Sequence, residues 1–344
     1  MRVIRFSDSA GTLKVEPESF DDLYVLAMVI AKGDGVESKS YRKFKPTEGD
    51  TGEMKEVYVK LTAEKIEIDR SASRLRITGK ITEGRPAEFV RMNSYHTINL
   101  APGETVTIHK EEWEAYLLRK VKQAVTDSKK PRIGIIAVDD EKATVAYVRG
   151  YGVDIIAEIY SHLSKRMKEK DFEREKKRYF DDIIKSASNM QVDKIIIAGP
   201  GFTKDDIRQY MSFNRIAIGK EIAYAGAGDA ERSGIREVMQ SDVASGMLES
   251  GHVKKEFDYL NAFLKGLRTG SSFSGAGAVA NALKEYRVGA VLVNDSVLND
   301  PAIKEVLRSA DRMGVRIEIF NSEDDAGTQL ANFGNIAGLD KHLL

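Results

Sequence analysis

The run Arg91-Met-Asn-Ser-Tyr-His-Thr-Ile-Asn-Leu100, followed by Gly103-Glu-Thr-Val-Thr-Ile-His-Lys110 and then Trp113, decides how the first third of this chain is read. It is a Ser-Tyr-His-Thr segment entering one alternating strand, a Gly turn, and a second strand that ends in Lys and the only tryptophan of the sequence. Working back towards the N-terminus, Val57-Tyr-Val-Lys-Leu61, Lys65-Ile-Glu-Ile-Asp69 and Arg74-Leu-Arg-Ile-Thr78 alternate with the same period of two, so a small twisted barrel is the natural closure. One early helix is expected over Phe20 to Ala31. Its apolar residues recur at helical spacing, and Ser19 with Asp22 forms a capping-box pattern. Trp113 reads as a core anchor, with a helical stretch from there to about Val125. His96 and His109 could meet across neighbouring strands, each as a hydrogen-bonded strand histidine.

Beyond the polar linker Thr126 to Pro131 the pattern changes to strands alternating with helices, the mark of an α/β domain. Arg132 to Val138 and Ala143 to Val148 flank Asp139-Asp140-Glu141-Lys142 as a hairpin, a charged helix is expected from about Phe172 to Ser188, and Lys194 to Ala198 reads as a buried strand. The small residues of Ala223 to Asp229 suggest a second boundary. A further α/β layer domain follows, with strands at Ala290 to Asn294 and Arg316 to Phe320. The expected domains are therefore residues 1–125, 132–225 and 230–344.

Composition removes several classes of function. With no cysteine there is no disulfide framework, thiolate nucleophile or Cys-based zinc site. Lys plus Arg and Asp plus Glu both number 53, so any nucleic-acid surface must be local. Aliphatic runs are far too short to span a bilayer, no membrane partner is expected, and the expected location is cytoplasmic.

Three constellations could carry chemistry. The first is basic: Lys165, Arg166, Lys168, Lys170, Arg174, Lys176, Lys177 and Arg178 meet four interspersed acids, and Arg42, Lys43 and Lys45 lie beside a tip at Pro46 to Met54. Such cations either pair along a solvated helix or contact RNA phosphates or a protein partner. The second is the turn Gly199-Pro200-Gly201-Phe202 with Lys204, where a buried strand meets a helix start. It lacks the Walker spacing, and the plain reading is a tight turn capped by Thr203 or Asp205. The third is acidic. The pairs Asp21-Asp22 and Asp139-Asp140 are candidate ligands for a divalent metal, with Asp21 and Asp22 as candidate nuclease residues. Against that, Asp21-Asp22 suits a helix start and Asp139-Asp140 suits a turn.

The segment around Tyr95, His96 and Thr97, together with the Gly199-Pro200-Gly201-Phe202 turn, resembles the Pelota family, the ribosome-rescue relatives of the class I peptide-chain release factor of archaea and eukaryotes. The resemblance runs the length of the chain. It implies an Sm-like small β-barrel with one helix, a central ribonuclease H-like α/β domain and a C-terminal α/β sandwich. It also implies a monomeric adaptor, without a required cofactor, that enters the A site of a stalled ribosome and promotes dissociation and no-go mRNA surveillance. The implied partners are the ribosome with its mRNA and ribosomal RNA, an elongation-factor-type GTPase and an ATP-binding-cassette recycling ATPase. The release factor's Gly-Gly-Gln tip is missing, since no Gly-Gly dipeptide occurs anywhere. The tip's absence argues against peptidyl-tRNA hydrolysis. A metal-dependent endoribonuclease, which the family has also been proposed to be, stays open as the alternative.

Overall fold

The computed structural model describes residues 1–44, 53–128, 132–149, 152–164, 166–247, 252–322 and 324–343. The N-terminal part contains β1 (Arg2–Ser7), β2 (Thr12–Glu16), α1 (Phe20–Val29), β3 (Gly35–Phe44), β4 (Glu53–Asp69), β5 (Arg74–Arg85), β6 (Tyr95–Leu100), β7 (Val106–His109) and α2 (Ala115–Asp127). Its strands form one seven-stranded sheet in the order β1-β2-β7-β3-β4-β5-β6. The two strands expected at Val57 and Lys65 are one continuous strand, β4. Register shifts at Lys60/Leu61 and Ala63/Lys65 bend it, so that it serves two parts of the sheet. The barrel-like closure has a direct measure. Ser40 on β3 and His96 on β6 are three places apart in the strand order, about 14 Å in a flat sheet, yet their side chains hydrogen-bond at 2.7 Å.

Alternation on these strands puts Val57, Val59 and Leu61 of β4 and Leu75, Ile77 and Ile81 of β5 in the interior, where α1 adds Leu23, Leu26 and Val29. Each such side chain stabilises the fold by about 1.5–3 kcal/mol relative to exposure. The start of α1 is fixed as its sequence suggests. Ser19 accepts from the Asp22 amide and the Asp22 carboxylate accepts from the Ser19 amide, a reciprocal cap. His96 and His109 do not meet: β6 pairs with β5, while β7 lies between β2 and β3.

The central part contains β8 (Ile133–Val138), β9 (Lys142–Arg149), β10 (Gly152–Tyr160), α3 (Glu169–Asn189), β11 (Lys194–Gly199), α4 (Thr203–Phe213), β12 (Glu221–Gly226), α5 (Arg232–Gln240), α6 (Asp242–Met247) and α7 (His252–Thr269). Its sheet runs β10-β9-β8-β11-β12. β8 and β11 pair in parallel and are almost wholly buried, which is why they read as unbroken aliphatic runs. The small-residue run Ala223 to Asp229, read as a boundary, instead supplies β12, which pairs in parallel with β11 along its whole length.

The C-terminal part contains β13 (Ser272–Ser274), α8 (Ala276–Lys284), β14 (Val288–Asn294), α9 (Pro301–Arg312), β15 (Arg316–Phe320), α10 (Asp325–Ala331) and β16 (Ile336–Asp340). Its four strands are ordered β13-β16-β14-β15, with β14 and β15 parallel and β16 antiparallel. The chain forms two compact units. One comprises residues 1–129, 263–322 and 327–344; the other comprises 130–262 and 323–326.

Candidate nucleic-acid interface

The Tyr95-His96-Thr97 segment lies on β6, an edge strand, and its side chains divide between the two faces of the sheet. His96 turns inward to Ser40, and burial followed by the nearby Arg42 charge pushes its imidazole down to about 4, so the ring is neutral at ordinary pH. Arg42 reaches Ser94 Oγ at 3.3 Å, and its buried Nη1 has no hydrogen-bond partner among the described residues. Outward, the Tyr95 hydroxyl donates to Glu64 at 3.1 Å and the Lys80 ammonium sits 5.6 Å from the ring centre. Thr97 and Thr78 share a hydroxyl hydrogen bond of 2.8 Å. Lys43 is exposed opposite Met54. Lys45 and residues 46–52 of the expected tip lie outside the described residues.

The candidate metal ligands are engaged by the fold. Asp22, buried, accepts from the Glu18 amide at 2.8 Å and the Ser19 amide at 3.2 Å, and pairs with the N-terminal ammonium at 2.6 Å. Ser128 Oγ adds a further bond to its second oxygen at 3.3 Å. Asp21 lies in the first turn of α1, where its charge favours the helix dipole. Asp139 makes the β8–β9 turn by accepting from the Glu141 and Lys142 amides, both at 2.8 Å. Asp140 is exposed at that turn, its carbonyl accepting from Ser161 Oγ at 2.6 Å. The two pairs belong to different units. Among the described residues no group of three or more His, Asp or Glu side chains converges as a metal site would require.

The charged helix α3 starts at Glu169, earlier than the sequence suggests, and buries Tyr179, Phe180, Ile183, Ile184 and Ala187 along one stripe. Lys168 is its N-cap residue, Arg166 precedes it, and Lys165 is outside the described residues. The basic cluster resolves into bound and available members. Arg174 pairs with Asp171 at 3.2 Å, Arg178 lies 3.8 Å from Glu175, and Lys176 bridges to Asp206 of α4 at 2.7 Å while lying over the Phe180 ring. Lys170 and Lys177 remain exposed.

In the turn after β11, a Cβ on Gly199 would stand 1.8 Å from the Val138 carbonyl oxygen, so only glycine allows β8 and β11 to lie this close there. Gly201 has φ of 60°, the left-handed conformation that lets the chain reverse into α4. Pro200 between them fixes one dihedral. The expected cap is not formed. Phe202 is the N-cap residue of α4, with no side-chain hydrogen bond, and its ring is 82% exposed. Lys204 folds back, donating to the Gly201 carbonyl at 2.7 Å, so the turn carries no free ammonium for an anion.

A further group went unread at the sequence level. Arg74, Arg76 and Lys80 stand on the outward face of β5 beside Tyr95, all exposed. Their alternation within Arg74-Leu-Arg-Ile-Thr-Gly-Lys80 was the available signal.

The family model for the Pelota N-terminal domain matches residues 1–125, and that for eRF1 domain 2 matches residues 132–250. The protein pelota homolog of Methanocaldococcus jannaschii is 30% identical over 344 residues, covering 98% of each chain. Among solved structures, the Thermoplasma acidophilum Pelota protein has a similar fold, with a TM-score of 0.79 at 20% identity over 99% of each chain. S. cerevisiae Dom34 is similar at a TM-score of 0.54 and 18% identity, over 99% of this chain and 98% of that one. The full-length match and the N-terminal domain with its Tyr95-His96-Thr97 strand agree: this chain belongs to the Pelota family.

Proposed function

We propose that this chain enters the A site of stalled ribosomes in place of tRNA and promotes subunit dissociation and no-go mRNA surveillance, leaving the peptide on its tRNA. One observation carries the reading: a chain that matches a pelota homolog over 98% of both lengths has a release-factor-type central domain at residues 132–250 without any Gly-Gly dipeptide. It keeps the body that fits the site and lacks the tip that would position water. The chain then acts as a non-catalytic cytoplasmic adaptor that needs no cofactor and works as a monomer. The N-terminal module serves the decoding site, the central module follows it, and the C-terminal module docks partners. Candidate RNA contacts are Arg42 and Lys43 on β3 and Lys170 and Lys177 on α3, which suit sequence-independent contact with phosphates.

Nucleotide hydrolysis belongs to partners, a translational GTPase and an ATP-binding-cassette recycling ATPase. For the GTPase, S. cerevisiae Dom34 is described as a translation termination-like factor involved in RNA quality control pathways and interacting with Hbs1. The occupied carboxylate of Asp22 supports the non-catalytic reading over the nuclease one. The test is a splitting assay on stalled archaeal ribosomes with the recycling ATPase, following mRNA length and peptidyl-tRNA together. Expected are separated subunits that depend on this chain, intact mRNA and retained peptide. New mRNA ends with subunits still joined would overturn the proposal.

A further inference from the structure

The outward face of β5 and β6 combines three exposed cations, none in a direct ion pair among the described residues, with an exposed, propped aromatic ring. Residues 74, 76, 78 and 80 alternate onto one face, at about 6.7 Å per step, a stride comparable with the step between phosphates of an unstacked strand. Glu67 and Asp69 of β4 stand opposite Arg76 and Arg74, and the Arg76 charge helps hold the Asp69 carboxyl below its usual range, but each neighbouring acid has a closer partner of its own. Glu67 pairs with Lys65 at 2.7 Å, Asp69 accepts from Ser71 Oγ at 2.7 Å and the Ala72 amide at 3.0 Å, and Glu64 accepts from the Tyr95 hydroxyl. Among the described residues, no carboxylate makes an ion pair with Arg74, Arg76 or Lys80. Tyr95 is 59% exposed, fixed at its hydroxyl by Glu64 and flanked by the Lys80 ammonium. The Thr78–Thr97 hydroxyl pair and exposed Asn99 add polar groups on the same face.

We propose that this face is a docking surface for single-stranded RNA, with Arg74, Arg76 and Lys80 taking backbone phosphates and the Tyr95 ring stacking against one base. Cations aligned along a strand fit a polyanion in extended form, and a stacking ring needs an unpaired base, which a duplex does not offer. The inference deepens the function proposed above and rests on it only for the biological source of the RNA.

The test is fluorescence anisotropy of the full chain with a labelled oligouridine and with an RNA duplex of equal length, across a salt series. Binding of the oligouridine over the duplex is expected. The triple change Arg74→Gln, Arg76→Gln, Lys80→Gln should weaken it by about tenfold or more and make the log–log salt slope shallower by about two units. Tyr95→Ala should weaken it by about tenfold, while Tyr95→Phe, which keeps the ring and loses only the Glu64 bond, should bind as the unaltered chain does. Lys284→Gln, Arg312→Gln, Lys341→Gln removes equal charge from the C-terminal part and should leave affinity unchanged.

The proposal is overturned by no binding of oligouridine, by equal loss in the charge control, or by affinity of the Tyr95→Ala or triple variant within about twofold of the unaltered chain. An acidic protein segment would then be the better occupant. Circular dichroism melts of each variant separate binding loss from unfolding. Ribosome splitting by the same proteins keeps the two ideas apart: unaltered chain that splits ribosomes while its β5 face binds no RNA sinks this inference alone, and failure to split sinks the function.

Discussion

The carboxylate of Asp22 carries two structural duties, capping α1 and neutralising the buried N-terminal ammonium. Asp22→Ala should therefore cost about 3 kcal/mol, because it leaves that ammonium buried without its partner and removes the cap; denaturant titration measures it. A stability change near zero would mean the carboxylate is dispensable to the fold and restore it as a catalytic candidate. His96 gives a pH signature. Its folded pKa, about 4, lies below the ordinary 6.5, so the unfolded chain binds the extra proton first as pH falls. Stability from this residue is complete above 6.5 and drains away as pH drops from there towards 4. His96→Gln should flatten that part of the stability–pH curve, and an NMR titration of the imidazole should give a midpoint well below 6.

At the scale of elements, the β11–α4 junction depends on two glycines for different reasons. Gly199→Ala drives a methyl group into the Val138 carbonyl and should destabilise the central unit by about 3 kcal/mol or more, since the backbone there must move. Gly201→Ala meets no neighbouring atom and pays only for its left-handed backbone, about 1 kcal/mol. Equal losses in thermal melts would contradict this division. The helix α3 shows a second rule. Its buried stripe at Tyr179, Phe180, Ile183, Ile184 and Ala187 sits in the C-terminal half, leaving the charged N-terminal half in solvent, where three of its five cations find acids of their own helix or of α4.

For the molecule as a whole, α2, with Met28 of α1, packs the N-terminal part against the C-terminal part within one unit. Val121 and Ala124 pack into the N-terminal core, while Tyr116 and Leu117 pack with Val279, Leu283 and Leu307 of the C-terminal part. Ion pairs from Arg119 to Asp311 at 2.6 Å and from Arg308 to Glu112 at 3.4 Å flank that joint. Tyr116→Ala should cost about 3 kcal/mol and speed hydrogen exchange on α2 and α9 together. Exchange confined to α2 alone would show that the joint contributes nothing to the cohesion of the unit.

Much of this protein was written into local pattern. The period-two strands, the Ser19–Asp22 cap, the all-aliphatic strands β8 and β11 and the Asp139 turn follow from interactions within a few residues, which is why they were legible. So was the family, from the Tyr95-His96-Thr97 and Gly199-Pro200-Gly201-Phe202 segments. Tertiary structure decided what depends on partners far along the chain. It merged two expected strands into the bent β4, set His96 against Ser40 rather than His109, recruited Ala223 to Gly226 as a paired strand, tied up Asp22, and left Arg74, Arg76 and Lys80 exposed with no direct ion pair among the described residues. The reason is physical: propensity and capping are fixed by neighbours in sequence, whereas burial, charge compensation and strand order are fixed by whatever the closed fold brings alongside.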